Sequence, residues 1–490
     1  MDQDCDLLVI GGGVNGAGIA RDAAGRGLRV VLVEQGDLAG ATSSSSSKLI
    51  HGGLRYLEYY EFRLVREALA ERAVLLRLAP HIAWPMRFVL PHDRSMRPAW
   101  LVRLGLFLYD HLGQSRRRLP GTRRLRLRTA PEGMPLQEQF RTGFEYSDAW
   151  VDDARLVVLN AVDAGERGAA IHTRTRCTSL HATDGAWTAA LDDGRTLRAR
   201  AVVNAAGPWV AEVLHKQAGR NAGPKARLVK GSHIVVPRLY EGSQAYILQN
   251  DDRRIVFVLP YEQDFSLIGT TDVPFEGDPA RVTIDGSEVE YLCRAVSRVF
   301  RKPVLPTDMV HSFSGVRPLQ DSGEEKAAAV TRDYKLHLEQ EPAPMLSVFG
   351  GKITTYRRLA EHAMAMLDPI LSPAKPGPWT ATQPLPGGDF ADFPTFLATA
   401  TARYTFVPAS VLTRLAHAYG SRLHTLLRDA TNLAGLGECF GGGLYEAELR
   451  YLRTHEWART AEDVLWRRSK LGLRLDPAQR DRVAAWMEAG

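Results

Sequence analysis

The 490-residue chain lacks the cysteine pattern of a metal site. Its four cysteines, Cys5, Cys177, Cys293 and Cys439, lie far apart and form no CxxC pair. Such spacing provides no cradle for zinc or for an iron–sulfur cluster. We therefore expect reduced thiols, a cytosolic setting and no bound metal.

A long hydrophobic run is also absent. The longest uncharged apolar stretch, residues 7–20, is interrupted by glycines and is too short to span a bilayer. No basic segment precedes it, so we expect no secretory signal. The sequence contains no internal repeat. Any attachment to a membrane is therefore expected to be peripheral.

The composition is that of an ordinary soluble globular protein. Hydrophobic residues make up 45% and charged residues 24%, which argues against bulk disorder. A chain of 490 residues is too long for one hydrophobic core, so we expect two or three domains. The formal charge of +6 favours anionic partners, but it does not separate phosphate metabolites from nucleic acid or acidic lipid.

The N-terminal segment has the pattern of a dinucleotide-binding unit. Leu7–Ile10 is an apolar run typical of a buried strand. Gly11, Gly13 and Gly16 follow in GxGxxG spacing, and a small-residue helix then leads to a second strand that ends at Glu34. Glycines let the backbone approach a pyrophosphate at the helix N-terminus, and the acid accepts hydrogen bonds from a ribose. The combination predicts a dinucleotide site without distinguishing FAD from NAD.

Two later segments favour FAD. Residues 199–210 predict a buried strand that ends in the small-residue turn Ala205–Gly207, as a third strand of the same sheet. Near residue 350 an apolar strand leads through Gly350–Gly351 into a helix that starts around residues 352–355. The positive end of that helix suits the negative charge of a reduced flavin. Nucleotide elements on both sides of an inserted domain are typical of a flavoprotein.

These segments resemble the FAD-dependent (aerobic, respiratory) glycerol-3-phosphate dehydrogenases. "IGGGVNGAGIARDAAGRG" (residues 10–27) is similar to the first signature of that family, and "GGKITTYRRLA" (residues 350–360) to the second. "SSKLIHGGLRYLEYYEFRLVREALAER", "KGSHIVVP", "SGVRPL" and "TRDY" also read as family segments. The tail resembles the C-terminal domain of the bacterial respiratory enzyme, so the resemblance covers nearly the whole chain.

The expected fold is an α/β FAD-binding (Rossmann-like, GxGxxG) domain with an inserted antiparallel-sheet substrate domain and an all-helical C-terminal domain. Proline and glycine concentrate in residues 372–393, which predicts a linker. The expected ranges are 1–80 with 145–225 and 310–371 for the FAD-binding domain, 81–144 and 226–309 for the substrate region, 372–393 for the linker, and 394–490 for the helical domain.

The cofactor contacts expected from the fingerprint and from the resemblance form one set. They are Gly11, Gly13, Gly16, Glu34, Ser43, Ser47, His51, Gly52, Ala206, Gly207, Gly351, Lys352 and Thr354.

The serine run "TSSSSSK" invites a different interpretation, that of a flexible linker. It follows Glu34 too closely to join separate domains, and short hydroxyl side chains allow a dinucleotide to approach. We therefore expect Ser43–Ser47 to form a wall of the FAD site that leads into the Gly52–Gly53 turn.

The substrate that the resemblance implies is sn-glycerol 3-phosphate. Its dianionic phosphate needs fixed positive charges, which the planar guanidinium fork of arginine supplies. The candidates are Arg55, Arg317, Arg332 and Lys352, each beside a small-residue turn or at the end of an apolar run. The resemblance points to the same four positions and adds Tyr56 and His233. The implied reaction is oxidation to dihydroxyacetone phosphate, with hydride leaving C2 for flavin N5.

A general base is needed, because an aliphatic alcohol hardly ionises near neutral pH. His233 is the first candidate, since an unperturbed imidazole titrates in that range. A core histidine bonded to the backbone is an equally weighted alternative. Arg317 is the other catalytic candidate, but a guanidinium suits holding a developing alkoxide better than removing a proton. Asp272 either lies near the flavin or caps a turn.

Electrons must leave the enzyme, and the respiratory resemblance implies a membrane quinone as acceptor. Residues 94–128 hold ten arginines and one aspartate around an aromatic-aliphatic stretch. This combination predicts a helix on an anionic lipid surface, although a core helix followed by a solvated basic loop remains open. We expect a cytoplasmic enzyme bound peripherally to the inner (plasma) membrane, with no nucleic-acid partner. A homodimer is one possible assembly.

Three alternatives stay open at this point. A glycerol-3-phosphate oxidase would share the substrate site but pass electrons to oxygen and make hydrogen peroxide. An amine or amino-acid oxidase of the same fold would bind a carboxylate and need fewer cations. A flavin- or phosphate-sensing binding protein would carry out no reaction.

Overall fold

The structure is a computed structural model that describes residues 3–54, 57, 60–93, 97–112, 119–219, 226–252, 254–320 and 334–489. Its strands are β1 (Gln3–Ile10), β2 (Val30–Glu34), β3 (Leu49–Ile50), β4 (Ala83–His92), β5 (Arg123–Arg126), β6 (Thr142–Val151), β7 (Ala170–Thr173), β8 (Cys177–Thr183), β9 (Ala186–Leu191), β10 (Thr196–Asn204), β11 (Ala226–Pro237), β12 (Ala245–Gln249), β13 (Ile255–Tyr261), β14 (Phe265–Gly269), β15 (Val273–Pro274), β16 (His311–Gln320), β17 (Lys335–Glu339), β18 (Met345–Phe349), β19 (Cys439–Gly441) and β20 (Leu444–Tyr445). Its α-helices are α1 (Val14–Gly25), α2 (Phe62–Leu78), α3 (Ala99–Leu112), α4 (Asp153–Glu166), α5 (Val210–Glu212), α6 (Gly286–Ser297), α7 (Tyr356–Leu371), α8 (Phe393–Arg403), α9 (Ala409–Tyr419), α10 (Leu423–Leu427), α11 (Glu446–Glu456) and α12 (Pro477–Ala489).

The first sheet has the strand order β17-β18-β10-β1-β2-β7, and β9 also pairs with β10 and β8 with β9. Five of these strands, β18, β10, β1, β2 and β7, run parallel, so their carboxyl ends meet at one edge. Leu7 and Val9 of β1 pack with α1, α4 and α7 on one face. Leu8 and Ile10 pack on the other face against β8, β9 and α5. The continuous apolar run of β1 reflects this two-sided burial, and the predicted Rossmann-like domain is confirmed.

The second sheet has the order β15-β11-β14-β13-β12-β4-β6-β3, with β16 on β11 and β5 on β6. Its pairs are antiparallel except for β4 and β12, which run parallel. α6 packs on one face of this sheet. Residues of α2 and α3 pack on the other. The predicted antiparallel sheet is thereby confirmed.

The second sheet also takes strands from ranges that we expected to belong to the FAD-binding domain. β6 pairs with β4 along its whole length, and β16 pairs with β11. The expected ranges 145–225 and 310–371 therefore include strands of both sheets. The division into domains stays a prediction.

The C-terminal part has its own hydrophobic core, formed by residues of α8 to α12. Its helical character is confirmed, with one addition. β19 and β20 form a short hairpin, which the helical periodicity of the flanking sequence did not predict. Gly441, Gly442 and Gly443 make the turn possible, since their φ angles are +110°, +57° and +75°.

The predicted linker, residues 372–393, contains neither helix nor strand before α8 begins, but it is held against the first domain. Leu385 is buried in the core that contains α1. The Trp379 indole donates to the Asp22 carbonyl at 3.1 Å. A Cβ on Gly25 would lie 2.0 Å from that indole ring, so a glycine is needed where the segment crosses α1.

Several ion pairs connect the C-terminal part to the FAD-binding domain, and we call three of them, whose cations are almost fully buried, the ionic seam. Arg155 of α4 pairs with Glu456, which ends α11, and both side chains are buried. The other two pairs are Arg468 with Asp37, at 2.6 Å, and Lys470 with Asp152, at 2.5 Å. Asp37 lies three residues after Glu34, so the seam reaches the loop beside the predicted ribose site. Among the described residues, no helix is both long and apolar enough to cross a bilayer.

Candidate active site

The glycine turn after β1 brings backbone into contact with backbone. Gly11 has a φ of +114°, and a Cβ there would lie 2.5 Å from the Ala205 carbonyl oxygen. A Cβ on Gly16 would lie 1.9 Å from the Gly11 carbonyl oxygen. α1 begins directly after Gly13, where the Val14 N–H donates to Ser43 Oγ at 3.0 Å. The N-terminus of α1 and a predicted serine therefore face the same space, where an anionic group is favoured.

Glu34 is held by two backbone amides. Its carboxylate accepts from the Gly12 N–H at 2.6 Å and from the Gly36 N–H at 2.8 Å. Burial raises the pKa of Glu34, and these two hydrogen bonds oppose the rise. The side chain is thus fixed at the carboxyl end of β2, as a ribose-binding acid requires.

The remaining nucleotide elements end at the same edge of the sheet. β10 leads into Ala206 and Gly207, and β18 leads into Gly351, which has a φ of +107°. Asn15 joins the turns: its Nδ2 donates to the Gly350 carbonyl at 3.2 Å. Its Oδ1 is buried and has no partner within the described part of the chain. Sequence reasoning missed Asn15, although its position between two glycines of the fingerprint was a signal.

These residues fit a dinucleotide cofactor. The glycine turns leave space that a Cβ would fill, Glu34 is oriented for a ribose, and the α1 N-terminus suits a pyrophosphate. The buried Asn15 Oδ1 is an acceptor that a cofactor hydroxyl or amide would satisfy. Within the described ranges, no group of three or more His, Cys, Asp or Glu side chains is placed to hold a metal ion.

The serine run is structured and spans the space between the two sheets. Ser46 donates to Asp153 through its hydroxyl at 2.7 Å, and Lys48 pairs with the same carboxylate at 2.8 Å. A Cβ on Gly315 of β16 would lie 2.8 Å from Ser45 Cβ, so the run packs directly on the second sheet. Ser47 Oγ lies 2.9 Å from His233 Nε2. The run therefore connects the nucleotide turn to the candidate base.

The turn after β3 lies beside the start of α7. The His51 N–H donates to Thr354 Oγ1 at 3.3 Å, and Thr354 is buried. Gly52 is buried as well, and its N–H donates to Tyr109 Oη at 2.7 Å. Lys352 is half-buried and precedes the short turn Ile353–Thr355 that opens α7. The predicted cofactor residues of β3 and α7 are thus brought together.

His233 is a buried imidazole on β11 with 1% of its surface exposed. Its ring stacks on Phe313 at a centroid distance of 4.9 Å. Nδ1 is buried without a partner among the described residues, which disagrees with the alternative of a core histidine bonded to the backbone. Burial lowers the pKa of His233 well below its ordinary value, and the charges of Arg317 and Lys48 lower it further. The imidazole is therefore neutral near pH 7.

The Arg317 guanidinium lies over Gly231, two positions before His233 on β11. A Cβ on Gly231 would come 2.0 Å from Arg317 Nη2, so only glycine lets the guanidinium cross the sheet there. Gly231 and His233 are two positions apart on β11 and face the same side. Arg317 also pairs with Asp272 at 3.3 Å and donates to Thr270 Oγ1 at 3.2 Å. Asp272 is therefore a partner of Arg317, a role that neither of its predicted alternatives included.

The predicted substrate ligands are only partly described. Arg317 and Lys352 lie in the described part of the chain. Arg55, Tyr56 and Arg332 lie outside the described residues. Their assignment stays a prediction.

The segment 94–128 contains α3, whose two sides differ. Leu106 and Tyr109 are buried against the second sheet. The opposite side, which we call the α3 face, is exposed and apolar: Trp100, Leu101, Leu104, Phe107 and Leu108. Arg103 on the same helix is exposed as well. Residues 94–96 and 113–118 of the predicted segment lie outside the described residues.

Comparison with known proteins agrees with the fold. Residues 6–357 match the family described as "FAD dependent oxidoreductase". Residues 378–489 match the "C-terminal domain of alpha-glycerophosphate oxidase".

Among relatives, the D-erythritol 1-phosphate dehydrogenase of Brucella abortus (strain 2308) is 56% identical over 494 residues, which cover 99% of this chain and 98% of the relative. The aerobic glycerol-3-phosphate dehydrogenase of Escherichia coli (strain K12) is 52% identical over 490 residues, covering 98% and 97%. Among solved structures, the glycerol-3-phosphate dehydrogenase of Bacillus halodurans complexed with FAD is similar, with a TM-score of 0.78 and 29% identity, covering 99% of this chain and 90% of that chain.

Proposed function

This chain is an FAD-dependent enzyme of the glycerol-3-phosphate dehydrogenase family, and we propose that it oxidises sn-glycerol 3-phosphate at C2 to dihydroxyacetone phosphate. The observation that carries the proposal is the pair His233 and Arg317. A buried neutral imidazole with an open Nδ1 lies on the same side of β11 as a fixed guanidinium. Such a pair suits an alcohol that carries a phosphate, because one group takes a proton and the other binds negative charge.

His233 acts as the base in this proposal. Its low pKa keeps the imidazole neutral, so it accepts the C2 hydroxyl proton without first losing one. The charges of Arg317 and Lys48 contribute to that low pKa, and a bound phosphate dianion offsets them. Binding of the substrate thereby makes His233 a stronger base.

Arg317 binds an oxygen of the phosphate or the developing alkoxide, and its guanidinium stays protonated. Lys352 and the undescribed Arg55, Tyr56 and Arg332 complete the anion site in this proposal. Bound FAD supplies the acceptor for the hydride that leaves C2, and we assign that role to its N5.

D-erythritol 1-phosphate is a second candidate substrate, since the relative at 56% identity is named for it. Both compounds carry a secondary alcohol next to a phosphorylated carbon, so the chemistry at His233 is the same. The experiment is anaerobic stopped-flow reduction of the holoenzyme by each compound. We expect the rate constant of flavin reduction divided by the dissociation constant to be at least about tenfold larger for glycerol 3-phosphate. The reverse ratio would assign the four-carbon substrate.

Turnover requires an electron acceptor from outside the chain, and we propose a membrane quinone. The α3 face supports this proposal: Trp100 is 68%, Leu104 45% and Phe107 54% exposed. An amphipathic helix with such a face binds at the boundary of headgroups and acyl chains, and exposed arginines favour anionic lipid. Stoichiometric hydrogen peroxide in place of quinone reduction would instead identify an oxidase.

Membrane docking through α3, on the cytoplasmic side of the inner membrane, has a direct test. Leu104→Glu with Phe107→Glu should weaken co-sedimentation with anionic phosphatidylglycerol vesicles by at least about tenfold, because two large apolar side chains no longer enter the lipid. The matched control is Leu305→Glu with Val310→Glu, two residues that are 55% and 51% exposed elsewhere on the surface. Equal losses in both double variants would exclude the α3 face as the contact.

A further inference from the structure

Tyr109 joins the surface helix α3 to the Gly52–Gly53 turn. It projects from the side of α3 opposite the α3 face, and only 1% of it is exposed. Its hydroxyl accepts from the Gly52 N–H at 2.7 Å and donates to the Asp148 carboxylate, with oxygen distances of 2.8 and 2.9 Å. Asp148 in turn accepts from Arg72 Nη1 at 2.5 Å. A helix residue 57 positions away thus supplies the acceptor for a buried backbone amide.

The turn depends on this hydroxyl for two reasons. A buried N–H must find a partner, and the turn lies beyond the end of β3, so the strand ladder does not provide one. A Cβ on Gly52 would lie 2.7 Å from both Tyr109 Oη and Leu69 Cδ2, so the backbone rests directly on these side chains. Gly53 has a φ of +72°, which turns the chain away from β3.

Tyr109 stays protonated in this network, and the protonated phenol is the form that links Gly52 to Asp148. Burial and the Asp148 charge raise the pKa of Tyr109 well above its ordinary value, so the phenol keeps its proton. Burial raises the pKa of Asp148, while Arg72, the Tyr109 hydroxyl and the Gly52 N–H oppose the rise. A protonated phenol can donate to Asp148 and accept from Gly52 at the same time.

The turn held in this way lies beside the start of α7 and precedes two candidate substrate ligands in the sequence. On one side His51 donates to Thr354, beside the start of α7. On the other side the chain continues to Arg55 and Tyr56, the candidate substrate ligands. A displacement of the turn would therefore move the expected cofactor contacts His51 and Gly52.

We propose that Tyr109 is a positioning residue: its hydroxyl fixes the Gly52–Gly53 turn, and with it the placement of the cofactor against the substrate. This inference rests on the proposed function and on the expectation that Gly52 contacts the cofactor. It also means that the Tyr109 hydroxyl links α3, which packs on the second sheet, to the active site.

The test compares Tyr109→Phe with Tyr146→Phe in the purified holoenzyme. Tyr146 is 2% exposed, and its ring lies 5.8 Å from the Tyr109 ring, but it takes no part in the network from Gly52 to Asp148. Each variant loses one buried hydroxyl and keeps its ring. A purely structural effect would therefore appear in both.

Two readouts are used. In Tyr109→Phe, backbone amides in peptides that span residues 49–57 should exchange hydrogen about tenfold faster, because Gly52 loses its acceptor. The limiting rate constant of flavin reduction should fall about 10- to 100-fold while the substrate dissociation constant stays within about threefold, since misplacement of reacting groups reduces rate more than binding. Tyr146→Phe should stay within about twofold of the wild type in both readouts.

The outcomes separate the two proposals. Wild-type exchange and rate in Tyr109→Phe, or equal losses in Tyr146→Phe, would overturn the role of Tyr109. If the wild type is not reduced by either polyol phosphate, the proposed function fails, and the exchange contrast still decides the role of Tyr109. If Tyr109→Phe does not fold, Asp148→Ala replaces it, because alanine has no oxygen that accepts from the phenol and orients its hydroxyl. Unchanged exchange of residues 49–57 in that variant would overturn the inference.

Discussion

The ionic seam predicts a large and specific loss of stability when one partner of Arg155–Glu456 is removed. Both side chains are fully buried, and Arg155 Nη2 donates to Glu456 at 2.9 Å, with a second, shorter contact through Nη1. Arg155 Nε also donates to the Ala418 carbonyl at 3.0 Å. Arg155→Met leaves the Glu456 carboxylate buried, with Arg468 Nε 3.8 Å away.

Removing one partner of a buried ion pair costs about 3–5 kcal/mol, because the other charge stays desolvated. We expect that loss for Arg155→Met and for Glu456→Gln. The double variant Arg155→Met with Glu456→Met buries no unpaired charge, so its loss should be smaller than either single loss and at least about 3 kcal/mol smaller than their sum.

The assay is urea unfolding of the FAD-loaded protein, followed by tryptophan fluorescence and by circular dichroism. Arg422–Glu166 is the control pair, because it also joins α4 to the C-terminal part but its side chains are 20% and 49% exposed. Glu166→Gln should cost less than about 1 kcal/mol. Single-variant losses at the Arg155 pair as small as this, and additive in the double variant, would refute the reasoning.

The remaining predictions concern pH and catalysis. Burial, together with the charges of Arg155 and His417, lowers the pKa of His81 to about 3 from 6.5. The unfolded chain then binds the additional proton between these values, so stability is complete above pH 6.5 and falls by about 1.4 kcal/mol per pH unit as the pH drops toward 3. His81→Gln should remove that slope from the difference between variant and wild-type unfolding curves, and parallel curves would contradict this account. At the active site, His233→Ala should slow flavin reduction about 10²–10⁴-fold with a smaller effect on binding, whereas Arg317→Ala should mainly raise the substrate dissociation constant and retain FAD. Loss of FAD from Arg317→Ala, or an unchanged reduction rate in His233→Ala, would remove the corresponding assignment.

The parts of the fold that could be predicted are those that short stretches of sequence determine. The glycine spacing, the apolar run of β1 and the acid at position 34 encode a strand, a tight turn and a helix within about thirty residues. The structure places Glu34 on the Gly12 and Gly36 amides accordingly.

Contacts between distant residues could not be predicted in the same way. Ser47 and His233 are 186 positions apart, and no local pattern relates them. The expectation that the serine run forms a wall of the FAD site stays a prediction. The local pattern did not indicate its protein contacts: Ser43 contacts α1, Ser46 contacts Asp153 and Ser47 contacts His233, because the run crosses from one sheet to the other.

α3 shows how composition can predict a helix and still leave its orientation open. The sequence of residues 99–112 is apolar on both sides, so composition does not tell which side meets the protein core. Burial of Leu106 and Tyr109 is decided by the second sheet and α2, which pack against that side. Gly231 and Gly315 lie opposite each other on β11 and β16, and their lack of side chains leaves space for Arg317 and Ser45. These glycines were a further signal of the site in the sequence.

The central claim is that this chain oxidises glycerol 3-phosphate, and anaerobic titration tests it most directly. Glycerol 3-phosphate is added to the oxidised holoenzyme without oxygen or quinone, and the visible flavin absorbance and the products are measured. We predict bleaching of the flavin with the formation of an equal amount of dihydroxyacetone phosphate. A holoenzyme that keeps its FAD and is not bleached by glycerol 3-phosphate would contradict the claim.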